Sequence, residues 1–516
     1  MGEERSVSFD SKLAEFRHRR DKALAMGSAR HLAARKAQGI LNARERVAHL
    51  VAPGSFEEFG LFATGLNPAM RERTPTDAAV CGFGSVDGRL MGINSADFST
   101  MAASSGRVQI KKYNHIRDLC IANGHPLINL MECGGGRIPD VMGASGIGAG
   151  GESGRYFRPR IVPTAAGVLG ATYGRGAFVC VLSDFTVMRR GAVMAVSSPN
   201  VTSSSIAEAE TPEDLGGWPV HSEVTGLADL VVDSDEEALD AIRRFLSYLP
   251  DHHRAAPPRA PVPAGADDAA RRLPDLVPDE RRKTYDVRRA IEAIVDPGSF
   301  FALKERFARA AVTGLARLGG QTVGVIATNP RVKGGALDAE ACSKITSFIV
   351  LCDSFNVPLI MMADTPGFLI GGEAERRGMA GRIMNFLAAL EEATVPKLAL
   401  VLRKSFGQAY INMGGGKGDE TAAWFSSEIS FMDPQVAVSV VFAGRQDGDG
   451  KSQEQLMAEV AADTTPYNLA APYLAHAVID PRDTRAYLIS RLAIHGRALT
   501  GGIGEHRLAN WPPMSF

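Results

Sequence analysis

The stretch VCGFGSVDGRLMGIN (residues 80–94) is followed, 232 positions later, by VTGLARLGGQTVGVI (residues 312–326). The same offset continues without a gap to residues 135 and 367. The pairs that share it are Val80 and Val312, Gly82 and Gly314, Gly88 and Gly320, Gly92 and Gly324, Lys112 and Lys344, Cys120 and Cys352, Pro126 and Pro358, Glu132 and Asp364, and Gly135 and Gly367. A period this long indicates a duplicated domain, because solenoid and propeller units recur at about 20 to 50 residues. The sequence therefore predicts two copies of one fold and two versions of one site.

Each copy predicts strands that alternate with helices. A glycine-punctuated strand pair comes first, and a helix over 107–123 or 339–356 follows. A buried strand over 126–131 or 358–363 leads into a glycine turn and another helix. Strands that alternate with helices in this way predict an α/β layered fold.

The two copies are separated by a stretch rich in proline and alanine, which is typical of an extended linker. We therefore predict an N-terminal domain over 1–255, a linker over 256–282 and a C-terminal domain over 283–516. Ahead of the first copy, residues 12–50 are rich in Ala, Arg, Leu and Lys with helical spacing. They predict one or two basic helices that serve in packing or subunit contact.

The composition excludes several classes of protein. With 57 basic and 58 acidic residues the chain has almost no net charge, which argues against a nucleic-acid partner. The apolar runs are strand-sized, far short of the roughly 20 residues of a membrane span. The polar N-terminus has no signal core, so we expect a cytoplasmic protein. The six cysteines show no C-x-x-C spacing, so neither a zinc site nor a disulfide framework is expected.

Two glycine turns recur in each copy. The first follows the buried strand and reads Glu132-Cys133-Gly134-Gly135-Gly136-Arg137 or Asp364-Thr365-Pro366-Gly367-Phe368. The second lies some forty residues further on and reads Tyr173-Gly174-Arg175-Gly176 or Phe406-Gly407-Gln408-Ala409. Small residues let the backbone approach a ligand and leave its N–H groups free to donate. Two such groups aimed at one point form an oxyanion hole. The alternative is that these are ordinary tight turns that join a strand to a helix.

Other motifs are weaker. Glu132 and Asp364 could transfer protons, although a carboxylate at the start of a helix more often caps it. Gly146, Gly148 and Gly151 match G-x-G-x-x-G, but they lie well past the strand end and lack the acidic residue that a dinucleotide site needs. A flexible loop over an active site is the preferred interpretation. The chain has no G-x-S-x-G elbow, H-E-x-x-H pair or phosphate-binding loop, so its chemistry is expected to rest on backbone electrostatics.

Eight segments together resemble the carboxyltransferase (β) subunits of biotin-dependent acyl-CoA carboxylases. They are Ala43-Arg44-Glu45-Arg46, Pro53-Gly54-Ser55-Phe56, Asp97-Phe98, the two strand-end turns quoted above, Ala393-Thr394-Val395-Pro396-Lys397, residues 403–410 and residues 479–485. The resemblance covers nearly the whole chain. It implies two crotonase-like domains of the ββα superhelix type. It also implies a hexamer, with acyl-CoA bound by the N-terminal half and biotin by the C-terminal half of a neighbouring subunit.

The chemistry that the resemblance implies needs two enolate pockets and no side-chain base. Carboxybiotin on a partner protein releases CO₂, and the ureido nitrogen of the biotin enolate takes the α-proton of the thioester. The thioester enolate then attacks CO₂. Two duplicated turns with free N–H groups suit this reaction.

The resemblance assigns the first hole to Gly134 and Gly135 and the second to Gly407, Gln408 and Ala409. It places the substrates against the residues Gly136, Arg137, Gly174, Gly367 and Ile411. The chain departs from the family pattern at Cys133 and Gly136, where Ser and Ala are usual, and at Gln408, where Gly is usual. A glutamine at positive φ would cost on the order of 1 kcal/mol or crowd the biotin.

The sequence thus predicts the carboxyltransferase subunit of an acyl-CoA carboxylase. No biotin-accepting Met-Lys-Met and no ATP-binding module is present, so a biotin carboxylase or biotin carrier subunit is expected as the partner. The alternatives are a decarboxylase or transcarboxylase of the same fold, or a catalytically weak structural subunit of a mixed carboxylase ring. The acyl group, the direction of transfer and the choice between homo- and hetero-hexamer stay open at this point.

Overall fold

The computed structural model of the chain describes residues 8–151, 159–206, 210–442 and 452–512. It forms two compact units, Met1–Leu246 and Ser247–Phe516. Each unit contains one eight-stranded sheet. Two copies of one fold are therefore present, as the duplication predicts.

The first unit is built on eight strands. They are β1 (Glu57–Phe59), β2 (Ala79–Val86), β3 (Arg89–Ala96), β4 (Leu127–Cys133), β5 (Thr164–Tyr173), β6 (Phe185–Arg189), β7 (Val193–Ala195) and β8 (Leu230–Val232). The sheet order is β1-β2-β3-β4-β5-β6-β8, and β7 pairs with the end of β5. The first three strands are antiparallel, and the pairing is parallel from β3 onward. Parallel neighbours end at the same edge, so the turns after β4 and β5 lie side by side.

Ten helices surround or flank this sheet. They are α1 (Phe9–Leu24), α2 (Ala29–Lys36), α3 (Ala43–Leu50), α4 (Arg107–Asn123), α5 (Ile138–Val141), α6 (Gly143–Gly151), α7 (Arg175–Val181), α8 (Pro199–Ile206), α9 (Pro212–Gly216) and α10 (Asp235–Tyr248). Helix α3 begins with a capping box between Asn42 and Glu45. Helix α4 ends at Gly124, whose φ of 75° is left-handed.

The second unit repeats the arrangement. Its strands are β9 (Phe301–Leu303), β10 (Ala311–Leu318), β11 (Gln321–Thr328), β12 (Leu359–Thr365), β13 (Lys397–Phe406), β14 (Glu420–Trp424), β15 (Glu428–Ser430) and β16 (Ala477–Ile479). The order is β9-β10-β11-β12-β13-β14-β16, with β15 on the end of β13. Its helices are α11 (Leu273–Leu276), α12 (Val287–Ile294), α13 (Ala339–Ser354), α14 (Gly372–Arg376), α15 (Met379–Glu392), α16 (Gln408–Asn412), α17 (Pro434–Phe442), α18 (Gln453–Ala462), α19 (Pro466–Ala470) and α20 (Thr484–Ile494).

The same glycine–cysteine contact packs a helix on the sheet in both units. A Cβ added to Gly92 in β3 would lie 2.2 Å from the Sγ of Cys120 in α4. The equivalent distance from Gly324 in β11 to Cys352 in α13 is 2.5 Å. Both sulfur atoms are buried, so glycine is what allows these helices to pack so closely on their strands.

Three local expectations differ from the structure. The proline-rich stretch 256–282 lies within the second unit, where Leu273 and Val277 are buried in the core. Their i, i+4 spacing gives that segment an apolar face, which its proline content obscures. Residues 143–151 form helix α6 rather than a loop, because the missing side chain of Gly146 allows close packing on the carbonyl of Val141. The N-terminal segment forms three helices instead of one or two.

No helix in the described part of the chain is both long and apolar enough to cross a membrane.

Candidate active site

The first candidate site lies where β4 and β5 end. After a register shift, Cys133 pairs with Thr172, which brings the turn 133–136 next to the turn 173–176. A Cβ built on Gly176 would lie 2.9 Å from the Cβ of Cys133. One built on Gly135 would lie 4.0 Å from the Cβ of Tyr173. The structure therefore brings together two glycine turns that lie some forty residues apart in sequence.

The hydrogen bonds of these turns decide which N–H groups can bind a ligand. The N–H of Gly134 donates to the carbonyl of Ala102 over 2.8 Å, and that of Gly174 donates to Ala195 over 3.1 Å. Gly134, predicted as a donor of the first hole, is therefore already engaged. Within the described residues, no acceptor engages the N–H groups of Gly135 and Gly136.

Two further donors come from the second turn. Arg175 and Gly176 lie in the first turn of α7, where N–H groups have no intrahelical partner. These two residues were not among the site residues predicted from the sequence. The repeat itself contains the signal, because Arg175 and Gly176 correspond to Gln408 and Ala409 at an offset of 233.

The second unit builds the equivalent arrangement at the ends of β12 and β13, where Thr365 pairs with Ser405. The N–H of Gly407 donates to Ser430 over 3.0 Å, as Gly174 donates to Ala195. Gln408 and Ala409 follow in the first turn of α16. The N–H of Gly367 is held by the hydroxyl of its neighbour Thr365 over 3.1 Å.

The backbone at Gln408 differs from the expectation of positive φ. The left-handed residue is Gly407, with φ of 61°, and Gln408 is absent from the described non-glycine residues with positive φ. The side chain of Gln408 is tied back along α16, because its Nε2 donates to Oδ1 of Asn412 over 3.0 Å. In the first unit, Arg175 likewise donates to Asn114 over 2.9 Å. The family departure at Gln408 therefore does not force a non-glycine residue into positive φ.

Arg137 is buried instead of facing a substrate. Only 1% of the residue is exposed, and its guanidinium donates to Asp77 over 2.5 Å and to Asp140 over 3.1 Å. A third hydrogen bond reaches the carbonyl of Ser104 over 2.9 Å. Its side chain therefore supports the turn from behind.

Neither strand-end carboxylate caps a helix. Glu132 is buried between Arg35, at 2.6 Å, and Arg46, at 2.9 Å. Burial alone would lower the pKa of Arg46, but Glu132 and Asp235 raise it above its ordinary value. Asp364 is fully buried and pairs with Arg403 over 3.1 Å.

Burial raises the pKa of Asp364, and Arg403 opposes that rise. Because both acids are held by arginines at the base of the turns, they stabilise the turns as ion pairs. The arginines are distant in sequence, so the pattern at residues 132 and 364 could not reveal them.

The remaining predicted site residues lie close to the turns. Gly136 is exposed, Gly174 and Gly367 are half-buried, and Ile411 is half-buried on α16. Gly135 and Gly174 have φ of 101° and 58°, a region that favours glycine. No cluster of three or more His, Cys, Asp or Glu in the described ranges is placed to hold a metal ion.

Comparisons with known proteins agree with this architecture. The carboxyl transferase domain family matches residues 34–500. The carboxyltransferase subunit of propionyl-CoA carboxylase from Haloferax mediterranei is 34% identical over 501 residues, which are 94% of this chain and 96% of that protein. The α subunit of methylmalonyl-CoA decarboxylase from Veillonella parvula is 32% identical over 92% of this chain and 93% of its own length.

The crystal structure of transcarboxylase 12S superposes with a TM-score of 0.89 and 31% identity, covering 96% of this chain and 97% of that one. That protein is a hexamer, with methylmalonyl-coenzyme A and methylmalonic acid bound. The chain therefore belongs to the carboxyl transferase family, as an enzyme of the acyl-CoA carboxylase carboxyltransferase class. The resemblance and the fold of two duplicated α/β domains predicted from the sequence are confirmed.

Proposed function

We propose that the chain transfers a carboxyl group between carboxybiotin on a partner protein and the α carbon of an acyl-CoA, using two backbone oxyanion holes. The observation that carries the proposal is the pair of glycine turns at adjacent strand ends, built in both units. In the first unit, no described residue accepts the N–H groups of Gly135 and Gly136. A donor aimed at developing negative charge is a major source of catalysis in such sites.

In the first unit, Gly135 and Gly136 on one turn and Gly176 on the other supply the donors for a thioester oxygen. In the second unit, the donors are Gln408 and Ala409, with Gly407 setting their direction. Carboxylated biotin supplies CO₂ and a ureido nitrogen that accepts a proton. The second turn is proposed to hold the ureido oxygen of biotin. The side chain of Gln408 is tied back to Asn412, and no described backbone carbonyl accepts the N–H of Gln408 or Ala409.

Ile411 is proposed to border the acyl chain. Its apolar side chain lies two residues after Ala409 on α16. Each buried methylene group contributes roughly 0.8 kcal/mol, so butyryl-CoA or longer thioesters are expected to react better than acetyl-CoA. A biotin carboxylase or biotin carrier subunit is the proposed partner, because the chain contains no Met-Lys-Met.

The test uses the purified chain without its partner. Methylmalonyl-CoA, malonyl-CoA and ethylmalonyl-CoA are incubated with and without free biotin, and the acyl-CoA products are separated by chromatography. Loss of the carboxyl group only when biotin is present supports the proposal. Loss at the same rate without biotin contradicts it, and no loss under either condition favours a structural subunit.

A variant tests whether the activity depends on the first turn. Gly135→Val should lower turnover at least tenfold, because a side chain at φ of 101° distorts the donors. The matched control is Gly88→Val, which strains another positive-φ glycine with open space around it at the β2–β3 turn. Equal turnover in both variants would show that the turn containing Gly135 does not form the first oxyanion hole.

The direction of net transfer needs the partner. Similarity to the α subunit of methylmalonyl-CoA decarboxylase favours the reverse direction as a second candidate. Net fixation of labelled bicarbonate with a biotinylated carrier, a biotin carboxylase and ATP would support carboxylation. Net carboxyl loss under the same conditions would support decarboxylation.

A further inference from the structure

Two turns next to the first site have left-handed backbone conformations, although none of their residues is glycine. Thr76, Asp77 and Ala78 have φ of 52°, 46° and 59°. Met101, Ala102 and Ala103 have φ of 51°, 52° and 47°. This conformation is unfavourable for residues with a Cβ, above all for a β-branched threonine, and it persists only where the surroundings fix it.

The second of these turns controls the peptide planes of the first glycine turn. Ala102 accepts the N–H of Gly134 over 2.8 Å, and Ser105 donates to the carbonyl of Gly135 over 2.7 Å. A trans peptide is planar, so its C=O and N–H point in opposite directions. By holding the carbonyl of Gly135, Ser105 therefore directs the N–H of Gly136 away from itself, toward the exposed side of the turn.

Arg137 joins both left-handed turns. Its guanidinium donates to Asp77 in one turn and to the carbonyl of Ser104, which directly follows the other. The second carboxylate oxygen of Asp77 accepts the N–H of Gln109 in α4 over 2.7 Å. Gly106 makes room for this arrangement, since a Cβ there would lie 2.5 Å from the guanidinium.

The second unit keeps the backbone contacts but lacks this ion pair. Leu337 donates to Gly367 over 3.2 Å and Leu369 donates to Leu337 over 2.8 Å, as Ser105 and Arg137 do in the first unit. Leu369 stands where the first unit has Arg137, and the equivalent left-handed turn is Lys333-Gly334-Gly335. Two of its three residues are glycine, which adopts this conformation readily, and Lys333 forms an ion pair with Asp338 over 2.5 Å.

We propose that Arg137 and Asp77 are positioning residues of the first unit. Their ion pair holds residues 102–105 against the turn 133–136 and thereby aims the N–H of Gly136 at the thioester oxygen. The inference rests on the proposed function and adds to it the residues that set the direction of the donor. Loosening the pair should lower kcat while leaving the KM for acyl-CoA nearly unchanged, because the pair touches no substrate.

The test compares Arg137→Lys, Asp77→Asn and the double variant. Arg137→Lys keeps the charge but loses the planar fork that reaches Asp77 and Ser104 together. We expect kcat to fall at least tenfold and KM to change less than threefold. The double variant should lose no more than the worse single variant. Arg44→Lys is the matched control, since Arg44 forms an ion pair with Glu58 in the same unit, away from the turn 133–136.

A second measurement is independent of activity. Amide hydrogen exchange of residues 133–137 should quicken in Arg137→Lys and Asp77→Asn, but not in Arg44→Lys. Unchanged kcat in a folded variant with faster exchange overturns the positioning role. A raised KM at constant kcat also overturns it and makes Arg137 a binding residue. If the wild type transfers no carboxyl group, the proposed function fails, whereas exchange still reports on the ion pair.

Discussion

Lys112 and Lys344 occupy equivalent places in α4 and α13. Each binds backbone carbonyl groups at the start of β2 or β10 and in the residues before that strand. The acceptors are Thr76 at 2.8 Å and Ala79 at 2.6 Å for Lys112, and Lys304 at 2.8 Å, Phe307 at 2.9 Å and Ala311 at 2.8 Å for Lys344. Lys344 is 2% exposed. Burial lowers its pKa to about 7.

This lowered pKa predicts a pH dependence of stability. Between the unfolded pKa near 10.4 and about 7, the unfolded chain binds the proton more readily, so stability falls as the pH falls. From pH 7 to 9, the wild type should gain about 2 kcal/mol of unfolding free energy relative to Lys344→Met. Urea unfolding at several pH values measures this. Lys417→Met, at a surface ion pair, should show no such difference, and parallel curves for wild type and Lys344→Met would refute the prediction.

At the same scale, the sequence could locate the glycine turns but not decide which of their N–H groups have acceptors. That depends on acceptors far away along the chain, such as Ala102 for Gly134 and Ala195 for Gly174. The pattern around Arg137 could not reveal its ion pair with Asp77 either, because Asp77 lies 60 positions earlier. A spacing rule cannot detect such pairs.

At the scale of elements, the packing of α4 on β3 depends on the missing side chain of Gly92. Gly92→Ala would place a methyl group 2.2 Å from the sulfur of Cys120 and 3.0 Å from Ile116. We expect a loss of about 1–3 kcal/mol in unfolding free energy, because overpacking of a dense core is costly.

A double-mutant cycle tests the contact. Cys120→Ala in the Gly92→Ala background should recover much of the loss, since it removes the clashing sulfur. The control is Gly148→Ala in α6, where a Cβ meets nothing within 4 Å. If Gly92→Ala proves as stable as Gly148→Ala, the helix and strand can separate more easily than the structure indicates.

Elements with a strong hydrophobic period were predictable. The helix predicted over 107–123 matches α4, Arg107–Asn123, and the strand predicted over 126–131 lies within a residue or two of β4. Helix α6 was missed because its glycines predict a loop, whereas tertiary packing overrides weak propensity. Within α6, Gly146 allows close approach to the carbonyl of Val141 at the end of α5, which composition alone cannot show.

At the scale of the whole molecule, the duplication predicted two units with the same sheet order, and that order is observed. The resemblance to a hexameric transcarboxylase leads us to expect six chains in solution. Light scattering after size exclusion should give a mass about six times the 54.9 kDa of the chain, independent of concentration. A stable mass of one or two chains would contradict this expectation. Subunit number could not be read from one sequence, because an interface has no fixed spacing along the chain.

The short strands β7 and β15 have the same role in the two units. Each accepts the N–H of the first glycine of the second turn, Gly174 or Gly407. The carbonyl of Ser430 in β15 accepts the N–H of Gly407. That N–H dipole is therefore not available to a ligand at the second turn. Displacing β15 would release this third dipole and raise the local positive potential. Helix α17, Pro434–Phe442, begins four residues after Ser430. A substitution that displaces β15 would therefore alter the hydrogen bonding of Gly407 with no residue of the turn replaced.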